Sequence, residues 1–368
     1  MNILIAPNAF KGSMSALEVA EIIQFNLLKF HPELKCQCLP IADGGDGTFE
    51  VLTHHFKGEN HIITTTDLLG REIQASLFLT EQDVAIIELT HVAGLSLLAP
   101  SEYKPLNTHT YGVGDLIRSA LNLSCSKIIL AIGGSGTLDM GFGALRALGY
   151  RFLDKDGLEL KGGGGNLSAI AKIDSQDFDR RILNVDFQIA CDVENPLIGE
   201  CGAAKVFGAQ KGASCDEIDL LHQNHQYFAE LIKKEFQIDI SKMKYGGAAG
   251  GIAAGLHAMC GAKLRSGSEL VFDCLNMDKA IAGCDLLITG EGRIDSQSAF
   301  GKAPYVLAQK AKEMGKRVYA FCGTSEFLQN SPFDKVFPIK KESQSLTDAM
   351  KQTKENLRDA VSEMVKLL

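Results

Sequence analysis

Nowhere in the 368 residues does an apolar run approach the roughly 18 that a membrane span requires, so no transmembrane segment is expected. There is no basic block either. Lys and Arg number 37 against 45 Asp and Glu, a formal charge of −8, which argues against nucleic acid or an anionic membrane as the main partner. A small anionic ligand stays open, because a few local cations and helix N-termini suffice for one. The start, Met1-Asn2-Ile3-Leu4-Ile5-Ala6-Pro7, has no basic n-region and is too short for a signal h-region, so it reads as a strand. The 10 cysteines include no Cys-x-x-Cys, and several lie in apolar runs; they read as buried reduced thiols, and a cytoplasmic location is expected. His54, His55 and His61 lack the His-x-x-x-His spacing of a helical metal site, which leaves them outside any expected metal centre.

The common phosphate and acyl-transfer fingerprints are missing as well. No Gly-x-x-x-x-Gly-Lys-Ser/Thr loop exists, and Gly301-Lys302 lacks both the upstream glycine and the following hydroxyl. No Gly-x-Gly-x-x-Gly is present, which counts against a dinucleotide enzyme. The nearest approach to a Gly-x-Ser-x-Gly elbow, Gly133-Gly134-Ser135-Gly136, ends on Thr137. Protein-kinase catalytic-loop triplets are absent too.

What is present is an ordinary globular composition, 45% apolar and 22% charged, with an excess of glycine at 37 residues. The length suggests about two domains. The first forty residues predict β-α-β: a strand at Asn2–Ala6, a capping box in Ser15-Ala16-Leu17-Glu18, a helix to Phe30 and a strand at Lys35–Leu39. The C-terminal quarter repeats this grammar, with strands at 285–289, 317–321 and 335–339, a helix at about 304–314 and one closing helix over 347–368. Between them, 60–66, 73–79 and 84–89 read as antiparallel strands, followed by strands at 127–132 and 185–190. The expected fold is α/β with two domains: a Rossmann- or flavodoxin-like parallel-sheet domain from both termini (1–75 plus 275–368), and an inserted mixed α/β domain (76–274). The active site is expected in the cleft between them.

The glycines cluster at 44–47, 133–136, 162–165, 246–251 and 290–292, mostly after an apolar strand and before a helix. Such loops present backbone amides and a helix N-terminus to a phosphate. Ordinary tight turns explain any single cluster; several beside Ser, Thr or Asp favour ligand cradles. Gly162–Gly165 is the exception and reads as a plain flexible loop. Asp43, Asp192, Glu291 and Asp295 stand at strand ends beside these loops, where carboxylates suit a metal-bridged phosphate or a base for a hydroxyl. Helix capping is the plainer alternative for Asp43 and Asp192. Lys11, Lys211, Arg293 and Lys302 could balance a phosphoryl group in transit, although Arg293 between two acids could equally be a structural ion pair.

Six ordered blocks then carry a resemblance: APNAFKGSMSALEVA at 6–20, PIADGGDGTFEVL at 40–52, IGGSGTLDMGFGALRALG at 132–149, ACDVENPLIGECGAAKVFGAQKGAS at 190–214, GGAAGGIAAGL at 246–256 and LLITGEGRIDSQSAFGKAP at 286–304. In these the chain resembles the bacterial class I glycerate kinases. The resemblance implies ATP-dependent, Mg²⁺-assisted phosphorylation of D-glycerate, with 2-phosphoglycerate as the expected product. It also implies a two-domain α/β scaffold unrelated to P-loop kinases. Two departures show. The family pattern has Ala-Thr-Asn-Asp after GGS where this chain reads Gly136-Thr137-Leu138-Asp139, and Asp46 replaces a more usual Glu. If the asparagine touches ligand, Leu138 removes a polar contact.

On this reading Asp192 orients or deprotonates the attacking hydroxyl, and Asp43 or Asp295 holds Mg²⁺; the three acids could exchange these roles. Lys11, Ser13 and Arg293 are expected to grip the glycerate carboxylate or the γ-phosphoryl group, with Asp43, Gly44, Gly45, Glu291 and Asp295 around the substrate. Gly133, Gly134, Ser135, Thr137, Lys211 and Lys302 are expected at the nucleotide. The partner is a small molecule, with no nucleic acid and no membrane, and the chain is expected to be a monomer or homodimer. Two rivals remain at this point: a two-domain protein that binds a hydroxy-acid without chemistry, and a dehydrogenase-like α/β enzyme.

Overall fold

The strands follow the chain as β1 (Asn2–Ile5), β2 (Lys35–Cys38), β3 (Gly58–Thr66), β4 (Glu72–Thr80), β5 (Val84–Glu88), β6 (Lys127–Ala131), β7 (Arg151–Leu153), β8 (Lys172–Asp174), β9 (Asp186–Cys191), β10 (Lys263–Ser266), β11 (Leu286–Ile294), β12 (Arg317–Ser325) and β13 (Lys335–Pro338). The computed structural model describes residues 1–295, 302–326 and 331–368; positions 296–301 of the sixth sequence block lie outside the described residues. The chain divides into two units, 1–43 with 50–55 and 268–368, and 44–49 with 56–267. No helix among the described residues is long and apolar enough to cross a membrane.

The first unit is built on a five-stranded parallel sheet in the order β13-β12-β11-β1-β2. Taken from the β2 edge this is the 2-1-3-4-5 order of flavodoxin-like folds, as the β-α-β signals at both termini predict. Ile3, Ile5, Leu286, Ile288 and Phe321 bury against Val19, Ile23 and Leu27 of the helix Ala16–Phe30 and Leu357, Val361 and Met364 of the helix Thr353–Val365. The predicted capping box is present: the Glu18 amide donates to Ser15 Oγ, and the Ser15 amide to the Glu18 carboxylate. The closing helix is not continuous. It breaks at Gln352 into Leu346–Lys351 and Thr353–Val365.

The second unit carries a mixed six-stranded sheet in the order β10-β9-β6-β5-β4-β3. β5 pairs antiparallel with β4 and parallel with β6, so the antiparallel meander expected at 60–89 grafts onto a parallel half. This pairing moves the expected domain boundary. Residues 56–75 were assigned to the first domain, yet β3 bonds along its whole length to β4 and enters the second sheet. The return crossing falls at 267–268 rather than 274–275. The helix Cys215–Phe236, unforeseen in the sequence, opens on a second capping box, Ser214 with Glu217.

The thiols are all unpaired with one another, but their burial is uneven. Cys125, Cys191, Cys260, Cys284 and Cys322 are buried as expected, whereas Cys201 and Cys215 are exposed.

Candidate active site

In the first unit the candidate side chains stand at the carboxyl ends of β1, β2 and β11, three adjacent strands, where open α/β sheets present their ligand loops. After β1, the loop from Pro7 is tied to the neighbouring strand by the Asn8 amide donating to the Gly290 carbonyl at 2.8 Å. Lys11 on this loop is exposed, with Nζ 3.8 Å from Asp43 Oδ2, and buried Asn8 donates to the same oxygen at 3.4 Å. Ser13 Oγ donates to the Phe10 carbonyl at 2.9 Å, closing its own turn.

Where β11 runs out, Glu291, Arg293 and Asp295 share one stretch of chain. Arg293 Nε lies 3.0 Å from Asp295 Oδ2, and its Nη2 donates to Glu326 Oε1 at 2.6 Å. That bond and the two acids raise the guanidinium's pKa above its ordinary value. Lys302 Nζ sits 3.3 Å from Glu291 Oε2 and 4.0 Å from Asp295 Oδ1. Glu291 and Asp295 are buried carboxylates, each facing a cation.

In the second unit the glycine clusters meet each other. A Cβ on Gly133 would stand 2.4 Å from Gly45 Cα and 3.1 Å from Asp192 Oδ2; one on Gly250 would stand 2.0 Å from the Thr137 carbonyl oxygen. Glycine is therefore required here for backbone to lie on backbone, quite apart from any ligand.

The helix N-termini after these loops are also spoken for. Glu88, at the end of β5, accepts from the amides of Gly47 and Phe49 at 3.3 and 2.8 Å, where the helix Thr48–His55 begins. Asp139, fully buried, accepts from the Thr110 amide and hydroxyl, both at 2.9 Å, and from the amides of Gly141 and Gly143 at 3.2 and 3.0 Å. It thereby caps the helix Phe142–Ala147. The expectation that these N-termini cradle a phosphate is replaced by internal carboxylate caps, since an anion already occupies each.

What remains open is narrower. The Gly133 amide donates to the Gly44 carbonyl at 3.0 Å, Gly136 to Ala93 and Thr137 to Ser135 Oγ. The amides of Gly134 and Ser135, by contrast, donate to no protein group among the described residues. Gly134 is left-handed, at φ +75°, so two successive N–H groups form a concave anion nest. This nest lines a pocket of about 310 Å³ together with Asp192, Lys211, Asp46 and Ala249.

Lys211, expected at the nucleotide, is buried. It is 3% exposed rather than solvated, and its Nζ donates to the Thr137 carbonyl at 2.8 Å. Burial drives its pKa down, the Asp192 and Asp139 carboxylates push it back up, and burial wins, leaving it at about 7. The next carbonyl, Leu138, is bonded to His225 Nε2 at 2.9 Å. His225 is fully buried, and its pKa falls to about 4 because burial disfavours the charged ring, so the neutral ring donates from Nε2. Lys211 and His225 thus hold two consecutive carbonyls of the loop that carries the nest.

Leu138 itself is core. It is fully buried against Ala203, Ala204 and Leu221, so it does not stand where a ligand could touch it. Leu138→Asn is expected to destabilise the chain by about 2–4 kcal/mol, from lost apolar burial plus an amide in an apolar site. Denaturant midpoints of the two proteins check this, and an unchanged midpoint would return Leu138 to the ligand surface. Gly162–Gly165 is also no flexible loop. Gly164 is buried, with room for no Cβ beside the Leu138 carbonyl at 2.1 Å, and Asn224 Nδ2 donates to the carbonyls of Gly164 and Gly165 at 2.9 and 3.0 Å.

Within the second unit the structure brings together Gly44, Gly45, Gly133, Gly134, Ser135, Thr137, Asp192 and Lys211; within the first, Lys11, Ser13 and Asp43, and beside them Glu291, Arg293, Asp295 and Lys302. Glu88, Asp139, His225 and Asn8 have no role assigned from the sequence. For the first two a signal existed: an acid at the end of an apolar strand, and an acid just before a helix start.

The profile of the glycerate kinase family matches residues 3–368. A glycerate kinase of Halalkalibacterium halodurans is 39% identical over 95% of this chain and 93% of its own length. A glycerate 2-kinase of Escherichia coli is 38% identical over 97% and 95%. A crystal structure of a provisionally named glycerate kinase 2 from Salmonella typhimurium LT2 superposes with a TM-score of 0.88 at 39% identity, covering 100% of this chain and 98% of that one.

Proposed function

We propose, on the premise that this chain belongs to the glycerate kinase family, that it transfers the terminal phosphoryl group of ATP to a hydroxyl of D-glycerate. The observation that carries the reading is the pair of partnerless amides at Gly134 and Ser135, with Asp192 and a buried lysine in the same pocket. The amides suit an anionic oxygen. The carboxylate suits a hydroxyl that must be oriented and relieved of its proton. Lys211 offsets the negative charge that gathers as the phosphoryl group moves. In the first unit, Lys11, Ser13 and Arg293 are assigned the glycerate carboxylate or the phosphoryl group in transit. Gly44, Gly45 and Glu291 are assigned to the substrate, and Gly133, Thr137 and Lys302 to the nucleotide side. Gly133 and Thr137 act there through the loop shape they fix.

Magnesium fits this residue set if it arrives with the nucleotide. Mg²⁺ keeps most of its waters and takes one or two carboxylates beside phosphate oxygens, so a dedicated cage is not needed; among the described residues no group of three metal-ligating side chains forms one. Asp43 is the better ligand. Asp295 already spans Arg293 and Lys302 with its two oxygens and serves them as counter-ion. When bound, the ion would neutralise charge on the transferring phosphates. The name of the E. coli relative, glycerate 2-kinase, supports phosphorylation at the 2-hydroxyl.

Incubating the chain with D-glycerate, ATP and Mg²⁺ is expected to release ADP in step with a phosphoglycerate, whose ³¹P spectrum separates the 2- from the 3-isomer. ADP release that does not depend on D-glycerate would overturn the reading.

A further inference from the structure

The first unit contains a larger opening that the kinase reading does not use, a groove of about 520 Å³. Its origin is topological. A parallel sheet ordinarily has both faces covered, and β2 is an edge strand. Cys36 and Cys38 turn to the helix Ala16–Phe30, while the alternate residues Lys35 and Gln37 turn to the other face. There the helix Met277–Gly283 flanks β1 and leaves the β2 side open. The groove starts at Asn2 and Lys35, where β1 and β2 begin, whereas Lys11 and Asp43 follow the ends of those strands.

The lining has a definite chemistry. Leu4, Leu39 and Leu275 supply an apolar floor, and Lys35 and Lys279 supply the charge. Among the described residues no carboxylate lines it, in a chain whose formal charge is −8. The nearby acids are engaged elsewhere: Asp278 with Lys310 at 3.2 Å, and Asp285 with the Asn2 amide at 2.7 Å. Among the described residues, neither lysine makes an ion pair or a side-chain hydrogen bond. Asn276, also in the lining, is left-handed at φ 50°, and its side chain makes no cap bond to the helix that follows.

We propose that this groove is a second ligand site, built for a small organic phosphate monoester. Its dianionic head meets the ammonium groups of Lys35 and Lys279, and its carbon body lies on the leucine floor. Lysines, as point charges on flexible stems, suit a phosphate, whereas a lone carboxylate is matched better by the planar arginine fork. The volume lies within the range of small-molecule sites. Since neither Lys11 nor Asp43 is among the residues that line the groove, its occupant would act on turnover as an effector, not as a substrate.

Calorimetric titration with glycerol 3-phosphate and phosphoenolpyruvate tests this, with glycerol and inorganic phosphate as companion arms. Both monoesters are expected to bind. The double variant Lys35→Ala/Lys279→Ala should weaken that binding at least about tenfold, from loss of two charge-assisted contacts. Glycerol should give no binding, and inorganic phosphate weaker binding than the monoesters. Without any monoester, the double variant should turn over D-glycerate and ATP like the parent, since neither lysine belongs to the site described above. Equal monoester affinity in both proteins overturns the proposal, as does no lysine-dependent binding at millimolar concentration. Inorganic phosphate binding as tightly as the monoesters would also overturn it, by removing any role for the floor.

Discussion

Asp192→Asn is expected to lower kcat by about 10²–10⁴-fold, the range in which a positioned acid or base contributes to proton transfer. The substitution keeps size and shape and removes only the charge and the basic lone pairs. Asp192 is solvent-exposed at the end of β9 but supports the buried Lys211 ammonium, so a stability loss of about 1 kcal/mol is expected while the fold survives. The informative combination is therefore a cooperative unfolding transition close to the parent's with collapsed turnover. Near-normal turnover would remove Asp192 from the chemistry and leave Asp43 as the first acid to test. A second signature follows from Lys211, whose pKa the Asp192 charge raises against the pull of burial. With that carboxylate neutralised, the lysine should lose its proton at a lower pH, and any remaining activity that needs the ammonium should fall away earlier on the alkaline side.

Asp139→Ala is expected to have the largest effect on stability, about 4 kcal/mol or more. Three amides and a hydroxyl lose one common acceptor in a fully buried place, and each unsatisfied buried donor costs about 1–3 kcal/mol. The loop that presents the Gly134 and Ser135 amides runs directly into this carboxylate, so nucleotide affinity should fall together with stability. Asp139→Asn separates the two effects. It retains one acceptor oxygen and should recover part of the stability, while the hydrogen-bond set stays incomplete. A midpoint in the alanine variant close to the parent's would show that water replaces the carboxylate without loss.

The contrast between these two aspartates shows what a single sequence can reveal. Asp192 stands out in the sequence because it follows a strongly apolar strand and precedes a turn, and it lines the pocket beside Gly134 and Ser135. Asp139 is given no role in the sequence, since nothing in GGSGTLDMG says that the start of the helix Tyr111–Asn122 will bring Thr110 to it. Period and capping signals gave the flavodoxin-like half, including the Ser15–Glu18 box, because those signals are local. The boundary at 75 failed for the opposite reason: whether a hairpin strand joins one sheet or another is decided by pairing partners far along the chain, here β4 through β5 to β6. Lys211 is expected at the nucleotide from its place beside a glycine loop, but its burial is not legible there. Its burial depends on the Thr137 carbonyl, 74 residues away. The glycine excess was likewise half understood, since much of it serves contact between loops, as Gly133 against Gly45 shows.

The discontinuous first unit has a consequence during synthesis. β1 lies between β2 and β11, and its register couples Ile3 to Leu286. At the usual elongation rates of about 5–20 residues per second, some tens of seconds separate the emergence of those two strands. Throughout that interval β1 and β2 have no third strand, while the stretch from 56 to 267 emerges in order and has all of its own sheet partners. The nascent chain therefore holds an aliphatic strand pair in waiting beside a unit that can already fold. The long wait makes the N-terminal forty residues the segment most exposed to capture by chaperones or by a neighbouring nascent chain, and it sets the C-terminal strands as the step that commits the molecule.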